Sequence, residues 1–187
     1  MVIYLNILTF EDISIRLLNN TKADKELILS WLLNPTVNKV AWSEGVPWTI
    51  EKIEKHFTGK LIDGENISPC IIEYNLLPIG YVQFYPAFRD DYIFIEPVYL
   101  EHFTNGYAID IFIGLPKLWS KGLGRKVIIA LKEYLFNEKN AVIIFADPEE
   151  TNIRSIRCWE KAGFTPIGKI PNYDEPTKIS ICMMARQ

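Results

Sequence analysis

Two glycines one residue apart, Gly122 and Gly124, stand directly before an amphipathic run with helical spacing. Glycine lets a bulky anion approach the backbone, and the first turn of a helix offers N–H groups at the positive end of the helix dipole. Lys121, Arg125 and Lys126 add positive charge to the same stretch. The combination predicts a pyrophosphate cradle, although a Gly-x-Gly before a helix is also typical of a plain tight loop.

The known nucleotide fingerprints do not fit this loop. No Gly-Lys-Ser/Thr closes it, so it is not a P-loop. It also lacks the third glycine of the dinucleotide fingerprint, and no clear acidic residue ends a following strand at the expected distance. Its neighbourhood carries more information, because strand-like apolar runs lie on both sides, at 107–114 and 141–146.

Asp110 is the second group that could do chemistry. It lies inside the first apolar run, between Ile109 and Ile111. Burying a lone carboxylate is costly, so Asp110 must either face a cleft or be paired. A structural role, in which it caps a bulge or pairs with Arg157, is the alternative to a functional one.

The elements that must position these groups follow from hydrophobic spacing and turn signals. In the first half, the sequence predicts a strand at 13–18, a helix at 25–33 ended by Asn34-Pro35, a helix from Thr49 to about Phe57, and an antiparallel hairpin of 68–74 with 79–85. In the second half, it predicts an irregular segment at 86–105, strands at 107–114 and 141–146 on either side of the glycine loop and its helix, a helix from Asn152, and a closing hairpin of 167–170 with 178–184. This order indicates one α/β domain over residues 1–187, with a mixed sheet.

Composition limits the partners. The net charge is −3, which argues against nucleic acid or an acidic membrane and mildly favours a cationic small molecule. Three cysteines without paired or metal-ligand spacing, and only two histidines, leave little material for disulfides, a zinc site or a Ser-His-Asp triad, so no metal is expected. The sequence shows no convincing signal peptide and no apolar run long enough to span a bilayer, so a cytoplasmic protein is expected.

Several blocks of the chain, taken together, resemble the GNAT superfamily of acyl-CoA-dependent N-acyltransferases. More specifically, they are similar to the aminoglycoside 6'-N-acetyltransferases. The similarity runs from about Ile13 to Phe164 and is strongest in the second half. The blocks, in chain order, are Ile71-Ile72-Glu73-Tyr74, the run from Pro78 to Tyr85, Ile109-Asp110, the run from Trp119 to Gly124, Asn152 with Ser155-Ile156, and the run from Arg157 to Phe164.

The resemblance implies acetyl-CoA as co-substrate and a mostly antiparallel sheet whose central parallel strand pair splays apart, flanked by helices. It assigns the coenzyme pyrophosphate to the loop residues Lys121, Gly122, Leu123, Gly124, Arg125 and Lys126. It also assigns Ile111 and Phe112 as backbone donors to the oxyanion, Ile113 as a contact of the pantetheine arm, and Asn152 as a hydrogen-bond partner of that arm. Asn152 also suits a plain helix cap, and the two roles are compatible.

On the substrate side, the resemblance implies that Asp110 binds the reacting amine and acts as the general base, directly or through water. Aminoglycosides are polycationic sugars, which carboxylates attract and aromatic faces suit. The expected substrate contacts are Trp42, Gln83, Tyr85, Asp90, Asp91 and Asp110. An acidic, solvated loop is the alternative for Asp90 and Asp91.

Two positions depart from the family pattern. Trp119 stands where the loop usually begins with Gln or Arg. Trp159 stands where the common pattern has a Tyr that is proposed to protonate the departing thiolate, and an indole cannot be that acid. We therefore expect Trp159 to pack in the core, and the thiolate to leave unprotonated or to take its proton from water or another hydroxyl.

Other functions remain open at the level of sequence. The same fold acetylates protein N-termini, polyamines and siderophore hydroxylamines, and fold alone does not separate these substrates. A non-catalytic module that binds acyl-CoA or a cationic ligand is a further alternative. The sequence is compatible with a monomer or a homodimer.

Overall fold

The computed structural model describes residues 5–41, 47–58, 67–101, 103–172 and 175–187. The strands are β1 (Asn6–Phe10), β2 (Ile13–Leu17), β3 (Ser68–Tyr74), β4 (Leu77–Ala87), β5 (Gly106–Ile113), β6 (Ile143–Ala146), β7 (Thr165–Pro171) and β8 (Ile179–Arg186). The α-helices are α1 (Lys22–Leu32), α2 (Pro35–Ala41), α3 (Ile50–Ile53), α4 (Leu123–Glu138) and α5 (Ile153–Lys161).

The strands form one open sheet in the order β1-β2-β3-β4-β5-β6-β8-β7. β5 and β6 pair in parallel, and the other pairs are antiparallel. Both predicted hairpins are present, as β3 with β4 and as β7 with β8. The predicted α/β class with a mixed sheet is confirmed.

The chain divides into two compact units. The first unit comprises residues up to Phe84 together with Ile111–Val127, and the second comprises Tyr85–Asp110 together with Ile128–Gln187. The core of the first unit includes Trp31, Phe57, Tyr81 and Phe112. The core of the second unit includes Tyr92, Phe145 and Cys182.

A buried ion network ties three elements of the first unit together. Arg16 on β2 binds Asp24 at the start of α1 (Nη2 to Oδ1, 2.7 Å) and Glu73 on β3 (Nε to Oε1, 2.9 Å). Burial disfavours the guanidinium cation, but the hydrogen bonds to Asp24 and Glu73 outweigh it and raise the pKa of Arg16. Because each buried charge is paired, the ion pairs offset part of the desolvation penalty while the network links α1 to the sheet.

Several boundaries differ from the sequence prediction. α1 begins at Lys22 rather than Lys25, because Thr21 accepts a hydrogen bond from the Asp24 N–H and caps the helix earlier. The helix from Thr49 becomes α3 followed by a π-helical turn, Glu54–Thr58. The irregular 86–105 segment contains two 3-10 turns, Arg89–Tyr92 and Pro97–Leu100. None of the helices formed by the described residues has the length and apolar character that a membrane span requires.

Candidate active site

The glycine loop of the first unit opens directly into α4. Ser120 (φ 61°) and Gly122 (φ 81°) both adopt left-handed backbone conformations, which turn the chain sharply before the helix. The Lys126 N–H donates to the Gly122 carbonyl at 3.0 Å and closes the first helical turn. A Cβ built on Gly122 would meet no atom within 4 Å, so the outside of the loop is open. The residues therefore fit an anion held by the backbone at a helix N-terminus.

The three basic residues of the loop differ in their surroundings. Lys126 pairs with Glu11 (2.8 Å) and Asp12 (3.0 Å), and the hydrogen bonds that it donates to Glu11 and then to Asp12 raise its pKa. Its charge is therefore largely balanced by groups of the first unit. Lys121 and Arg125 are exposed, so they carry more of the positive field that a pyrophosphate would meet.

The end of β5 is pinned by Trp119, one of the two departures from the family pattern. The Trp119 indole Nε1 donates to the Ile113 carbonyl at 2.8 Å, and the Gly114 N–H donates to the Ile79 carbonyl at 2.8 Å. The buried Phe112 ring stacks on Tyr81 with ring centroids 5.7 Å apart. Since the Phe112 side chain belongs to the core, only its backbone can serve a ligand.

β5 is longer than β6, its parallel neighbour, with which it pairs in the second unit. The ladder pairs Gly106–Ala108 of β5 with Ile143–Phe145 of β6, and β6 ends one residue later at Ala146. Continuing the same register sets Asp110 level with Asp147, the first residue after β6. Asp110 therefore lies inside β5, two residues past the paired segment, and Asp147 directly follows β6.

Tyr85, near the end of β4, interacts with both of these carboxylates in the second unit. Its hydroxyl makes a hydrogen bond to Asp110, and the charges of Asp110 and Asp147 both act on it. Burial, followed by the two carboxylates, raises the pKa of Tyr85 far above its usual value, so the phenol keeps its proton and donates. The predicted residues Tyr85 and Asp110 are thus brought together, and Asp147 joins them.

The other predicted substrate contacts lie in other parts of the described chain, and one of them lies outside the described residues. Gln83 is buried in the first unit, where its Oε1 accepts a hydrogen bond from the Tyr81 hydroxyl at 2.7 Å. Asp90 is exposed in the 3-10 turn Arg89–Tyr92, which also contains Asp91. Trp42 lies outside the described residues.

The protein-family model of the "Acetyltransferase (GNAT) domain" matches residues 20–171 of this chain. That span covers most of the chain. The protein belongs to the GNAT family of acetyltransferases. The predicted family is therefore confirmed. Among the described residues of this acetyltransferase, no group of His, Cys, Asp and Glu side chains is arranged to hold a metal ion.

Aminoglycoside 6'-N-acetyltransferases are among the relatives of this GNAT protein. It is 30% identical to the aminoglycoside N(6')-acetyltransferase type 1 of Klebsiella pneumoniae over 172 residues, which are 91% of this chain and 84% of the relative. It also matches the solved structure of AAC(6')-Ib in complex with paromomycin and acetyl-CoA, with a TM-score of 0.75, 29% identity and 94% of each chain covered. A second solved structure, AAC(6')-Ib with coenzyme A and kanamycin, matches with a TM-score of 0.74 and 28% identity over 94% of this chain and 95% of that one.

The structure also shows the roles of Asn152, which precedes α5, and of Trp159, which lies within it. Asn152 caps α5 by accepting a hydrogen bond from the Ser155 N–H at 3.1 Å, as its structural role predicts. Trp159 is buried and packs edge-on against Phe164, with ring centroids 4.8 Å apart. Trp159 therefore lies in the core, as expected, while a contact of Asn152 with the coenzyme stays a prediction.

Sequence reasoning missed two residues of this acetyltransferase that the structure places at the candidate site. Asp147 carries no motif, and its signal appears only when the parallel register of β5 and β6 is known, because it then stands level with Asp110. Trp119 is known from the sequence only as a departure from the family pattern, whereas in the structure its indole anchors the loop to the strand end. A tryptophan near a glycine loop can be recognised as such an anchor only when the structure shows a nearby carbonyl that accepts a hydrogen bond from its indole.

Proposed function

We propose that this protein transfers the acetyl group of acetyl-CoA to the 6'-amino group of aminoglycosides, and so confers resistance to them. One observation carries the proposal: Asp110 on β5 and Asp147 after β6 both act on the proton-donating Tyr85. A GNAT acetyltransferase with paired carboxylates at this point suits a substrate with several ammonium groups. The names of its relatives support the same substrate class.

Asp110 is the base in the proposed reaction. An alkylammonium has a pKa of about 8–10 and is mostly protonated at neutral pH, so the amine must lose a proton before it attacks. Asp110 accepts that proton, directly or through one water, while its charge holds the amine in place. As the new C–N bond forms and the C–S bond breaks, the nitrogen releases its second proton to water and the coenzyme leaves as its thiolate.

The oxyanion of the transition state needs donors next to the base. The N–H groups of Ile111 and Phe112 follow Asp110 along β5, and one well-placed donor is worth about 3 kcal/mol of barrier. Trp159 cannot protonate the thiolate, because its indole is buried and is not an acid in this range. We infer that the thiolate leaves as the anion or takes a proton from water.

The rest of the substrate needs further acceptors and apolar faces. In the proposal, Asp147 binds a second ammonium group. Asp90, Asp91 and Trp42 remain substrate contacts that rest on the family resemblance. Gln83 likewise stays a substrate contact that rests on the family resemblance, and its Oε1 accepts a hydrogen bond from the Tyr81 hydroxyl.

The cell compartment and the assembly are part of the proposal. Cys70, Cys158 and Cys182 are all described, and none of them forms a disulfide, which suits a reducing compartment. We therefore place the enzyme in the cytoplasm, as a monomer or a homodimer.

The test is thiol release from acetyl-CoA with kanamycin, beside an analogue in which a hydroxyl replaces the 6'-amine. Wild type should turn over kanamycin alone, and Asp110→Asn should lose about 10²- to 10⁴-fold in kcat/KM. Glu133→Gln, on the exposed face of α4, removes one negative charge elsewhere and should leave the rate unchanged. Equal turnover of both analogues would move the acetylated amine elsewhere on the sugar. No turnover of either, with acetyl-CoA still bound, would overturn the proposal and favour peptide or hydroxylamine substrates.

A further inference from the structure

The far end of β5 is held tightly within the first unit. The Gly114 N–H donates to the Ile79 carbonyl at 2.8 Å. The Phe112 carbonyl lies so close to Gly80 that a Cβ at that position would collide with it, and the Trp31 ring leaves no room for a Cβ on Gly114. Because backbone and core atoms are packed against it, this end of the strand is a firm support for whatever is attached to it.

The backbone groups of Ile111 and Ile113 face the other edge of β5. Successive residues of a strand direct their N–H and C=O groups to opposite sides, and Phe112 and Gly114 direct theirs toward β4. Among the described residues, the ladder of β5 with β6 covers Gly106–Ala108, so Ile111 and Ile113 lie past its end. Such a stretch of strand edge suits an extended ligand that carries amide groups.

Trp119 links the glycine loop to this edge. A 3-10 turn, Pro116–Leu118, follows the strand, and the Trp119 N–H donates to the Pro116 carbonyl at 3.0 Å. The Trp119 indole Nε1 donates to the Ile113 carbonyl at 2.8 Å, while its half-buried ring packs against the core of the first unit. One side chain therefore ties the start of the loop to the backbone of the strand end.

The anion cradle of the loop does not need this link for its own shape. The left-handed backbone of Gly122 and the hydrogen bond from the Lys126 N–H to the Gly122 carbonyl, at 3.0 Å, form it from the loop and the first turn of α4. The buried side chain of Leu123 secures the beginning of that helix. What the indole adds is the placement of the cradle relative to Ile113.

We propose that Trp119 is a positioning residue for the coenzyme, whose indole holds the pyrophosphate cradle at the distance from the β5 edge that one acetyl-CoA molecule spans. Two weak subsites act together only when their spacing matches the molecule that joins them. This inference rests on the acetyl-CoA site of the proposed function, but not on the identity of the acetyl acceptor.

The deciding variant is Trp119→Phe, which keeps a ring for the core and removes the N–H donor. Calorimetric titration without any acetyl acceptor measures the affinity for coenzyme A. Competition against coenzyme A measures the affinities for its two halves, pantetheine and 3'-phosphoadenosine 5'-diphosphate. The variant should bind coenzyme A about tenfold more weakly and each half within about twofold of wild type, because both subsites persist but their spacing is no longer fixed.

Two results of this titration would overturn the inference. An equal loss for coenzyme A and for one of its halves would show that Trp119 serves that subsite alone. Unchanged binding of coenzyme A would show that the hydrogen bond to Ile113 does not matter for the coenzyme. A general weakening of the fold would reduce the binding of the halves as well, so the split between whole and halves separates positioning from damage.

Trp48→Phe is the matched control. Trp48 is buried in the core of the same unit, and its indole Nε1 donates to Asn38 Oδ1 at 3.2 Å, so this variant also removes an indole donor. It should bind coenzyme A within about twofold of wild type. A tenfold loss here would show that any lost indole hydrogen bond in this core weakens coenzyme binding, and would overturn the specific role of Trp119.

A second replacement decides the question if Trp119→Phe does not fold. Site-specific incorporation of 3-benzothienylalanine at position 119 keeps the shape of the indole and puts sulfur in place of the N–H. It should reproduce the tenfold loss, and wild-type affinity would overturn the inference. Wild type that binds coenzyme A but does not acetylate kanamycin would disprove the proposed acceptor alone, and the same titrations would still decide the role of Trp119. Wild type that does not bind coenzyme A would overturn both.

Discussion

At the scale of single residues, the three thiols differ in their environment. Cys70 and Cys182 are fully buried, whereas Cys158 is half-buried on α5. Burial raises the pKa of Cys70, and burial together with Asp147 raises the pKa of Cys182 to about 12. Since the thiolate is the reactive form, both buried thiols are protected twice, by access and by protonation.

Native-state labelling with a maleimide at pH 8 should therefore modify Cys158 first. Cys70 and Cys182 should remain at least about a hundredfold slower, because only a very small fraction of each is thiolate at that pH. Peptide mass spectrometry after a timed quench identifies the labelled position. Cys158→Ser should leave a protein that takes up almost no label, and rapid labelling of Cys182 in that variant would contradict its burial.

The Asp24 carboxylate holds a buried cation, so its loss should cost more than the loss of a surface charge. Asp24→Asn leaves Arg16 with Glu73 as its remaining charged partner and should lower the free energy of unfolding by about 3 kcal/mol. The control is Glu26→Gln, which breaks the exposed pair with Lys22 (3.6 Å) and should change stability by less than about 0.5 kcal/mol. Urea denaturation measures both, and equal effects of the two variants would show that burial of the Arg16 network does not matter.

At the scale of elements, the sequence predicts the helices and strands that carry the site residues better than it predicts where these elements begin and end. The amphipathic runs place α1, α4 and α5, and the apolar runs place β5 and β6, because burial of one face dictates the spacing of apolar residues. The cap of α5 at Asn152 is also readable, since a side-chain oxygen must accept an orphan N–H there.

What sequence reasoning misses depends on context that lies far along the chain. Pro35 was interpreted as a stop, but proline also suits the first turn of a helix, and α2 begins there. The sequence does not predict β1, because β1 depends on its pairing with β2. The register of β5 with β6, which brings Asp147 level with Asp110, is set by tertiary pairing and leaves no local signal.

Asn152 offers a test that separates its two roles. Asn152→Ala removes the cap of α5 and should lower stability by about 1 kcal/mol, whereas Asn152→Asp keeps an oxygen for the Ser155 N–H and should be close to wild type. If Asn152 also binds the coenzyme arm, the KM for acetyl-CoA should rise in both variants. A KM that changes only in Asn152→Ala would assign the whole effect to the helix cap. Thermal unfolding and steady-state kinetics on the same samples give both numbers.

The basic residues of the loop before α4 differ in their surroundings, so we expect them to contribute unequally to coenzyme binding. Arg125→Gln should raise the KM for acetyl-CoA about three- to tenfold, because an exposed guanidinium next to a helix N-terminus strengthens anion binding. Lys126→Gln should have a smaller effect, because Glu11 and Asp12 already balance its charge. Glu11→Gln frees part of that charge and should, if anything, lower the KM. Equal KM increases in the Arg125 and Lys126 variants would mean that the ion pairs open when the coenzyme binds.

At the scale of the whole molecule, we propose that residues 1–187 act as one domain although the chain divides into two compact units. β4, β5 and α4 each pass from one unit into the other, so neither unit can lose its secondary structure without breaking elements that continue into the other. Such continuity predicts a single cooperative unfolding transition.

The buried thiols make that prediction measurable, because one fully buried cysteine lies in each unit. Cys70 reports on the first unit and Cys182 on the second. In a Cys158→Ser background, brief maleimide pulses are applied at increasing urea concentrations. The labelling curves of both thiols should have the same midpoint and the same steepness, since each thiol becomes reactive only when its own unit opens. Exposure of Cys182 at a lower urea concentration than Cys70 would show that the second unit, which carries Tyr85, Asp110 and Asp147, unfolds on its own. The candidate base would then lie in the less stable part of the enzyme, and ligand binding would be expected to move the Cys182 midpoint toward that of Cys70.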